Sequence, residues 1–356
     1  MSPRLITTVV LASVLGGTAG PGWAAGKNSE FREVPFESKE LGGTVKLNMW
    51  TPPGYENDTD RRYPVIYCCQ NTGRPVRELT RLFAARHYPP FLLAHIDSVP
   101  GGERENGAAW SDRINPCETL LTKTIIPWID EIYRTVRSNK GRVLIGRSKG
   151  GGGVYHLGFK HPDLFGAIVS LDGTLKLYDG KWYEDRGEGI MQLVARNLGA
   201  LRDMPILMID GAWFGDQGVE YRKQFHQAGL RDIRVIDARY LGHGQVFDYW
   251  VPQIMTTFYN ATTETIAAAP GLVPADGTFK DRVTVKITPP RPGMEVFYTT
   301  DGSDPRKKQH AAQGEVSVTV PCWLRAVAIG KDGVSKEAVA RYELEGTLRP
   351  GGKPPR

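Results

Sequence analysis

Ser148 lies at the centre of Gly146-Arg147-Ser148-Lys149-Gly150, between the apolar run Arg142-Val-Leu-Ile and a helix-compatible stretch from Gly150 toward Lys160. A Gly-x-Ser-x-Gly turn between strand and helix holds the serine in a strained backbone conformation and presents its hydroxyl at a helix start. The flanking glycines let strand and helix close over the turn. There the backbone N–H groups can stabilise a developing oxyanion. A serine hydroxyl is a poor nucleophile near neutral pH, so this chemistry also needs a base and a group to orient it. His243, in Leu241-Gly-His243-Gly244, follows the last predicted strand and comes after the serine in chain order. Of seven histidines it is the one that combines that loop position with that order; His156, His161 and His226 read as surface or packing residues. For the acid there are two candidates, Asp210 at the end of strand Pro205–Ile209 and Asp216 on the loop beyond it. Asp216 has the freedom to reach an imidazole and is preferred, whereas Asp210 suits a strand-end carboxylate that binds turn N–H groups. The oxyanion donors expected are the backbone N–H of Lys149 and that of Asn71, in Gln70-Asn71-Thr72-Gly73. Trp110, Trp182 and Trp213, with Tyr183 and Phe214, are aromatic candidates for stacking on a sugar or phenolic acyl group, about half of them as ordinary packing residues.

The elements that must position these residues alternate. Strands are predicted at Phe31–Pro35, Thr44–Thr51, Tyr63–Cys69, Pro90–Ile96, Arg142–Ile145, Phe165–Leu171, Pro205–Ile209 and Ile233–Tyr240. Between them fall helical stretches at 78–85, 118–136, 150–160, 190–198 and 219–228, with a closing helix at 246–259. The helix at 118–136 is read from Leu121, Ile125, Ile129, Ile132 and Val136 at helical spacing. Strand-helix alternation predicts a mostly parallel sheet with helices on both faces, the α/β-hydrolase arrangement, in which nucleophile, acid and base follow in that order. Composition changes after Tyr259. Residues 261–274 read as a Pro/Ala-rich linker, 275–345 as a small all-β sandwich of short alternating strands, and 346–356 as a disordered tail.

The 356-residue chain is an ordinary soluble composition, 40% hydrophobic and 24% charged, with a net charge of +6. Its basic residues are scattered, without a Lys/Arg stripe interleaved with aromatics, which argues against nucleic-acid binding. Arg4, the apolar Leu5–Leu15 and the small residues before Ala24-Ala25 form the pattern of a secretory signal peptide over 1–25, followed by a catalytic domain over 26–260. The apolar segment is too short to span a bilayer, so the expectation is an exported protein, periplasmic or secreted, without stable membrane insertion. Export permits disulfides among Cys68, Cys69, Cys117 and Cys322. Adjacent on one strand, Cys68 and Cys69 point to opposite faces, so one of them at most meets Cys117; four buried thiols are the equal alternative. No Cys-x-x-Cys pair occurs, and neither a metal nor a cofactor is expected.

Residues 31–260 resemble the esterase family that includes S-formylglutathione hydrolases, feruloyl and acetylxylan esterases and mycolyltransferases. The resemblance rests on Ile125-Ile-Pro127 with Ile129-Asp-Glu-Ile-Tyr133, on Gly146-Arg-Ser-Lys-Gly-Gly151, on His161-Pro-Asp-Leu-Phe165, and on Gly242-His243 with Trp250. It implies Ser148 as nucleophile and His243 as base. The chain departs from the family where Lys149 replaces the common methionine, where Gln70-Asn71 replaces a His-Gly, and in a longer acid loop. Residues 270–345 resemble the small β-sandwich that ends chitobiases and β-hexosaminidases, through Phe297-Tyr-Thr-Thr-Asp-Gly-Ser-Asp-Pro305 and Leu324-Arg-Ala-Val-Ala328. That resemblance implies an accessory domain of carbohydrate-active enzymes, with polysaccharide binding or a spacer role as equal expectations. Together these readings point to a serine esterase acting on acylated carbohydrate or small esters. The rivals are an acyltransferase with the same triad and a non-catalytic carbohydrate-binding protein.

Overall fold

Strands that are covered on both faces must be apolar along their whole length, and the central strands of this chain are. The computed structural model describes residues 30–39, 42–70, 89–96, 114–175, 189–213, 217–243, 246–308, 310–312 and 314–346. Its first eight strands are β1 (Glu30–Ser38), β2 (Gly43–Thr51), β3 (Val65–Gln70), β4 (Leu92–Ile96), β5 (Arg142–Arg147), β6 (Ala167–Leu171), β7 (Ile206–Asp210) and β8 (Ile233–Asp237). They form one sheet in the order β1-β2-β4-β3-β5-β6-β7-β8. β1 and β2 enter antiparallel, and every pairing from β4 to β8 is parallel. This is the α/β-hydrolase architecture. The helix 78–85 and the signal segment lie outside the described residues.

Alternate residues of the strands feed two separate cores. Tyr67, Cys69 and Leu144 face a layer containing helices α1 (Ile114–Thr119), α2 (Ile126–Ile132), α3 (Lys149–Lys160), α4 (Ile190–Leu201) and α5 (Gln217–Ala228). Ile66, Cys68 and Ile145 face the other layer, built on α6 (Val246–Tyr249) and α7 (Val251–Thr262). Cys68 and Cys69 thus point to opposite faces, as their adjacency requires. All four cysteines are buried free thiols.

The helix read as 118–136 begins earlier and ends earlier. α1 runs into α2 through a π-helical turn, Leu120–Ile125, and α2 stops at Ile132. Tyr133 is already extended (φ −111°, ψ 153°), and the Val136 N–H donates to the Tyr63 carbonyl. Leu121, Ile125 and Ile129 are buried, but Ile132 is 52% exposed. Its helical spacing, and that of Val136, carried no core contact.

The C-terminal strands form a six-stranded sheet, β10 (Gly277–Phe279), β17 (Ala338–Leu344), β15 (Cys322–Gly330), β12 (Glu295–Thr299) and β13 (His310–Ala312), with β16 (Gly333–Val334) on β15. Beside it lie β14 (Glu315–Thr319), β11 (Arg282–Thr288) and β9 (Gly271–Val273). The stretch 261–274, expected as a linker, is largely part of this structure. α7 continues to Thr262, the Ile266 N–H donates to the Val334 carbonyl, Ala267 bridges Ser335, and β9 pairs with β11. A backbone rich in small residues and proline can still supply edge strands, and here it supplies one. No described helix is long and apolar enough to cross a membrane.

Candidate active site

β5 ends at Arg147 and α3 begins at Lys149, so Ser148 alone makes the turn, with φ 56° and ψ −123°. That conformation is strained for any residue with a side chain. It is held by two neighbours: the Ser148 N–H donates to the Leu171 carbonyl at 3.1 Å, and the Thr174 N–H donates to the Ser148 carbonyl at 3.3 Å. Gly146 makes the closure possible, since a Cβ there would lie 2.3 Å from the Gly150 carbonyl oxygen. Lys149 is the first residue of a twelve-residue helix, which places its N–H at that terminus, directly after Ser148. Asn71 lies outside the described residues.

The same two bonds that hold Ser148 flank Asp172, which follows β6 with φ 43°. Asp172 is fully buried and its carboxylate is filled with donors. The Gly211 N–H donates to Oδ1 at 3.0 Å, the Trp213 N–H to Oδ2 at 3.3 Å, and His243 Nδ1 stands 2.6 Å from Oδ2. A carboxylate that already accepts two backbone N–H groups is an acceptor toward the imidazole too, so Nδ1 carries the proton and the lone pair falls on Nε2. The His243 ring stacks on Trp213, with centroids 4.0 Å apart and planes 4° from parallel.

The sequence reading did not single out Asp172. Its signal is present, an Asp-Gly at the end of a predicted strand, but Asp210-Gly211 carries the same signal one strand later. Asp210 turns instead to the start of α5, where the Gly218 N–H bonds its carboxylate. The approach is so close that a Cβ on Gly218 would lie 1.9 Å from Asp210 Oδ2. Burial, and then the charge of Asp172, push the Asp210 carboxyl up to about 7. Asp216, the preferred acid, lies outside the described residues, and the carboxylate that the structure sets on His243 is Asp172.

Among the aromatic candidates, Trp213 reaches the site, while Trp110, Trp182, Tyr183 and Phe214 lie outside the described residues. His156 and His161 cluster with Lys160 around Glu118. Burial opposes ionisation of Glu118, but the bonds from His161 and Lys160, with His156 at 3.6 Å, outweigh it and hold the carboxyl well below its usual range. His226 Nδ1 pairs with the Leu230 carbonyl at 3.0 Å. His156 is buried, His161 half-buried at the end of α3, and His226 exposed on α5. Burial pushes the thiols of Cys68 and Cys69 well up, so neither offers a thiolate near neutral pH.

Residues 38–212 match the family model described as "Putative esterase", and residues 274–340 match the chitobiase/β-hexosaminidase C-terminal domain. The esterase match takes in Ser148 and Asp172 and stops before His243. The chain is 25% identical to "Uncharacterized protein YbbA" of Bacillus subtilis over 168 residues, 43% of this chain and 64% of that protein. It is also 25% identical to "Esterase Rv1288" of Mycobacterium tuberculosis over 152 residues, 40% of this chain and 32% of that protein. The chain thus spans less than two thirds of either relative's length. A solved ferulic acid esterase superposes with a TM-score of 0.54 at 19% identity, covering 66% of this chain and 98% of the other. That likeness is one of fold.

Proposed function

We propose that this chain, which carries an esterase-family segment, hydrolyses carboxylic esters through an acyl-enzyme on Ser148. The observation that carries the reading is the 2.6 Å contact between His243 and a buried Asp172, whose turn is bonded on both sides to the strained Ser148. In the first half-reaction Ser148 Oγ bonds to the ester carbonyl carbon and passes its proton to His243 Nε2. The carbonyl oxygen becomes an oxyanion beside the N–H groups at the start of α3, with Lys149 as one donor. Collapse breaks the carbon–oxygen bond to the alcohol, which leaves with the proton from Nε2. Water then adds to the acyl carbon, gives one proton to Nε2, and releases the carboxylic acid as Ser148 recovers its hydrogen. Asp172 orients the imidazole and stabilises its cationic form throughout.

The finer reading is of an exported enzyme acting on acylated polysaccharide. It is supported by the amino-terminal pattern of residues 1–25 and by the chitobiase-type domain match at 274–340. The relatives' printed names, an esterase and a ferulic acid esterase, agree with an ester substrate whose acyl group includes aromatic acids.

The test is Ser148→Ala with p-nitrophenyl acetate and with acetyl and feruloyl esters of xylan oligosaccharides. Turnover should fall by several orders of magnitude with an unchanged melting temperature. Mass spectrometry of the wild type with an organophosphonate should place the label on Ser148. Near-normal turnover by a folded Ser148→Ala protein would end this reading. Binding of residual polymer by the full chain in pull-downs on insoluble xylan, chitin and cellulose tests the carbohydrate role separately.

A further inference from the structure

Trp213 touches both residues that serve the serine. Its backbone N–H donates to Asp172 Oδ2 at 3.3 Å, and its indole lies flat on the His243 imidazole at 4.0 Å. Yet the residue is 68% exposed. A tryptophan that buries so little of its surface gains little from apolar burial, and among the described residues it is held by the imidazole against one face and by its own amide. The face of an indole carries negative charge density, and a parallel stack aims it at the imidazole ring. A neutral imidazole gains little from this; an imidazolium gains a cation–π interaction. In the reaction His243 takes the Ser148 proton and becomes cationic, so the interaction strengthens toward the transition state and contributes to rate.

We propose that Trp213 is a positioning residue of the acyl-transfer machinery, its indole capping His243 and stabilising the imidazolium that forms when Ser148 is deprotonated. The inference rests on the Ser148–His243–Asp172 reading above. It differs from a role in substrate stacking, which would use the exposed face of the ring and act through aromatic acyl groups. Among the described residues, His243 Nδ1 meets the Asp172 carboxylate, Asp172 in turn acts on Asp210, the Asp237–Arg239 pair also acts on Asp210, and Lys149 follows Ser148 in the chain. Substituting Trp213 alters none of them.

Trp213→Leu keeps an apolar cover over the imidazole and removes the π face, and Trp213→Phe restores a π face. With p-nitrophenyl acetate, whose acyl group is too small to stack, Trp213→Leu should lower kcat about two- to fivefold with KM nearly unchanged. The ascending limb of its kcat/KM profile, which reports the loss of the His243 proton in the free enzyme, should move down by about half a pH unit. Trp213→Phe should recover most of both effects. An unchanged kcat and limb in Trp213→Leu, with a raised KM confined to feruloyl esters, would overturn the proposal and leave Trp213 a substrate platform. Ser148→Ala, run alongside, separates the two ideas: if it stays active the triad reading itself fails, whatever Trp213 does.

Discussion

Asp172 and Asp210 end neighbouring strands, each precedes a glycine, and both are buried, at 0% and 4% exposure. What separates them is what donates to each. Asp172 receives two backbone N–H groups and an imidazole, Asp210 the N–H at the start of α5. Asp172→Asn should therefore lose about 10⁴-fold in kcat, because the amide no longer holds the His243 tautomer, while Asp210→Asn should keep most of its turnover on p-nitrophenyl acetate. Asp210 also makes a prediction about pH. Its folded carboxyl keeps its proton up to about 7, against 3.8 for the group in the unfolded chain. Between those values the folded state holds more protons, so this group's contribution to stability falls as pH rises through that window. Asparagine cannot ionise. Melting curves should show Asp210→Asn gaining on the wild type from pH 5 to pH 7, with the difference level above that; a gain at low pH instead would mean that the carboxylate is charged in the fold. The turn at Ser148 and the loop position of His243 were legible in the sequence because local glycine chemistry marks them. The carboxylate that meets the imidazole was not, because two strands lead into the same dipeptide and only the third dimension says which one reaches His243.

At the scale of elements, the apolar runs of β3 to β7 and the elbow at Ser148 were readable because each is a local pattern with one physical meaning. The end of α2 was not, since Ile132 and Val136 continue the helical spacing while Tyr63 captures the backbone beyond Tyr133. The elbow gives a direct test of its own geometry. Gly146→Ala puts a methyl 2.3 Å from a backbone oxygen, the Gly150 carbonyl, which cannot swing aside as a side chain could. The strand and helix must part, so organophosphonate labelling of Ser148 should drop sharply along with the melting temperature. Gly199→Ala in α4 is the matched control. That glycine is exposed and a Cβ there meets nothing within 4 Å, so alanine should stabilise the helix by about 0.5–1 kcal/mol and leave labelling intact. Equal effects of the two substitutions would show that close approach at Gly146 is not what shapes the turn.

At the scale of the molecule, composition and periodicity divide the chain near residue 262, and that division reads as two domains joined by a linker. Packing joins them. Trp323 and Val339 of the sandwich belong to the same core cluster as Trp250 and Ile254, and the Trp250 and Trp323 rings meet edge to face at 5.1 Å. Below them Glu337, fully buried, accepts from Thr256 at 2.5 Å and from Arg325 at 2.7 and 2.9 Å, and its backbone N–H donates to the Asn260 side chain at 2.8 Å. Such interactions are distant in sequence and leave no periodic trace in it. Those made by Trp250, Ile254, Thr256 and Asn260 fall on α7 and its N-cap, in the segment that follows His243, so the sandwich bears on the position of that histidine. Glu337→Ala leaves the buried Arg325 guanidinium without its carboxylate, a loss of about 3–5 kcal/mol. It should lower the melting temperature and reduce kcat on p-nitrophenyl acetate, a substrate with no polymer to bind. Ending the chain at Thr262 uncovers Trp250, Thr256 and Asn260 together and should do more, giving a protein of low stability and little turnover even on that soluble ester. A truncated chain with the melting temperature and turnover of the full protein would show that α7 holds its place unaided, and the sandwich would then answer only to the polysaccharide pull-down.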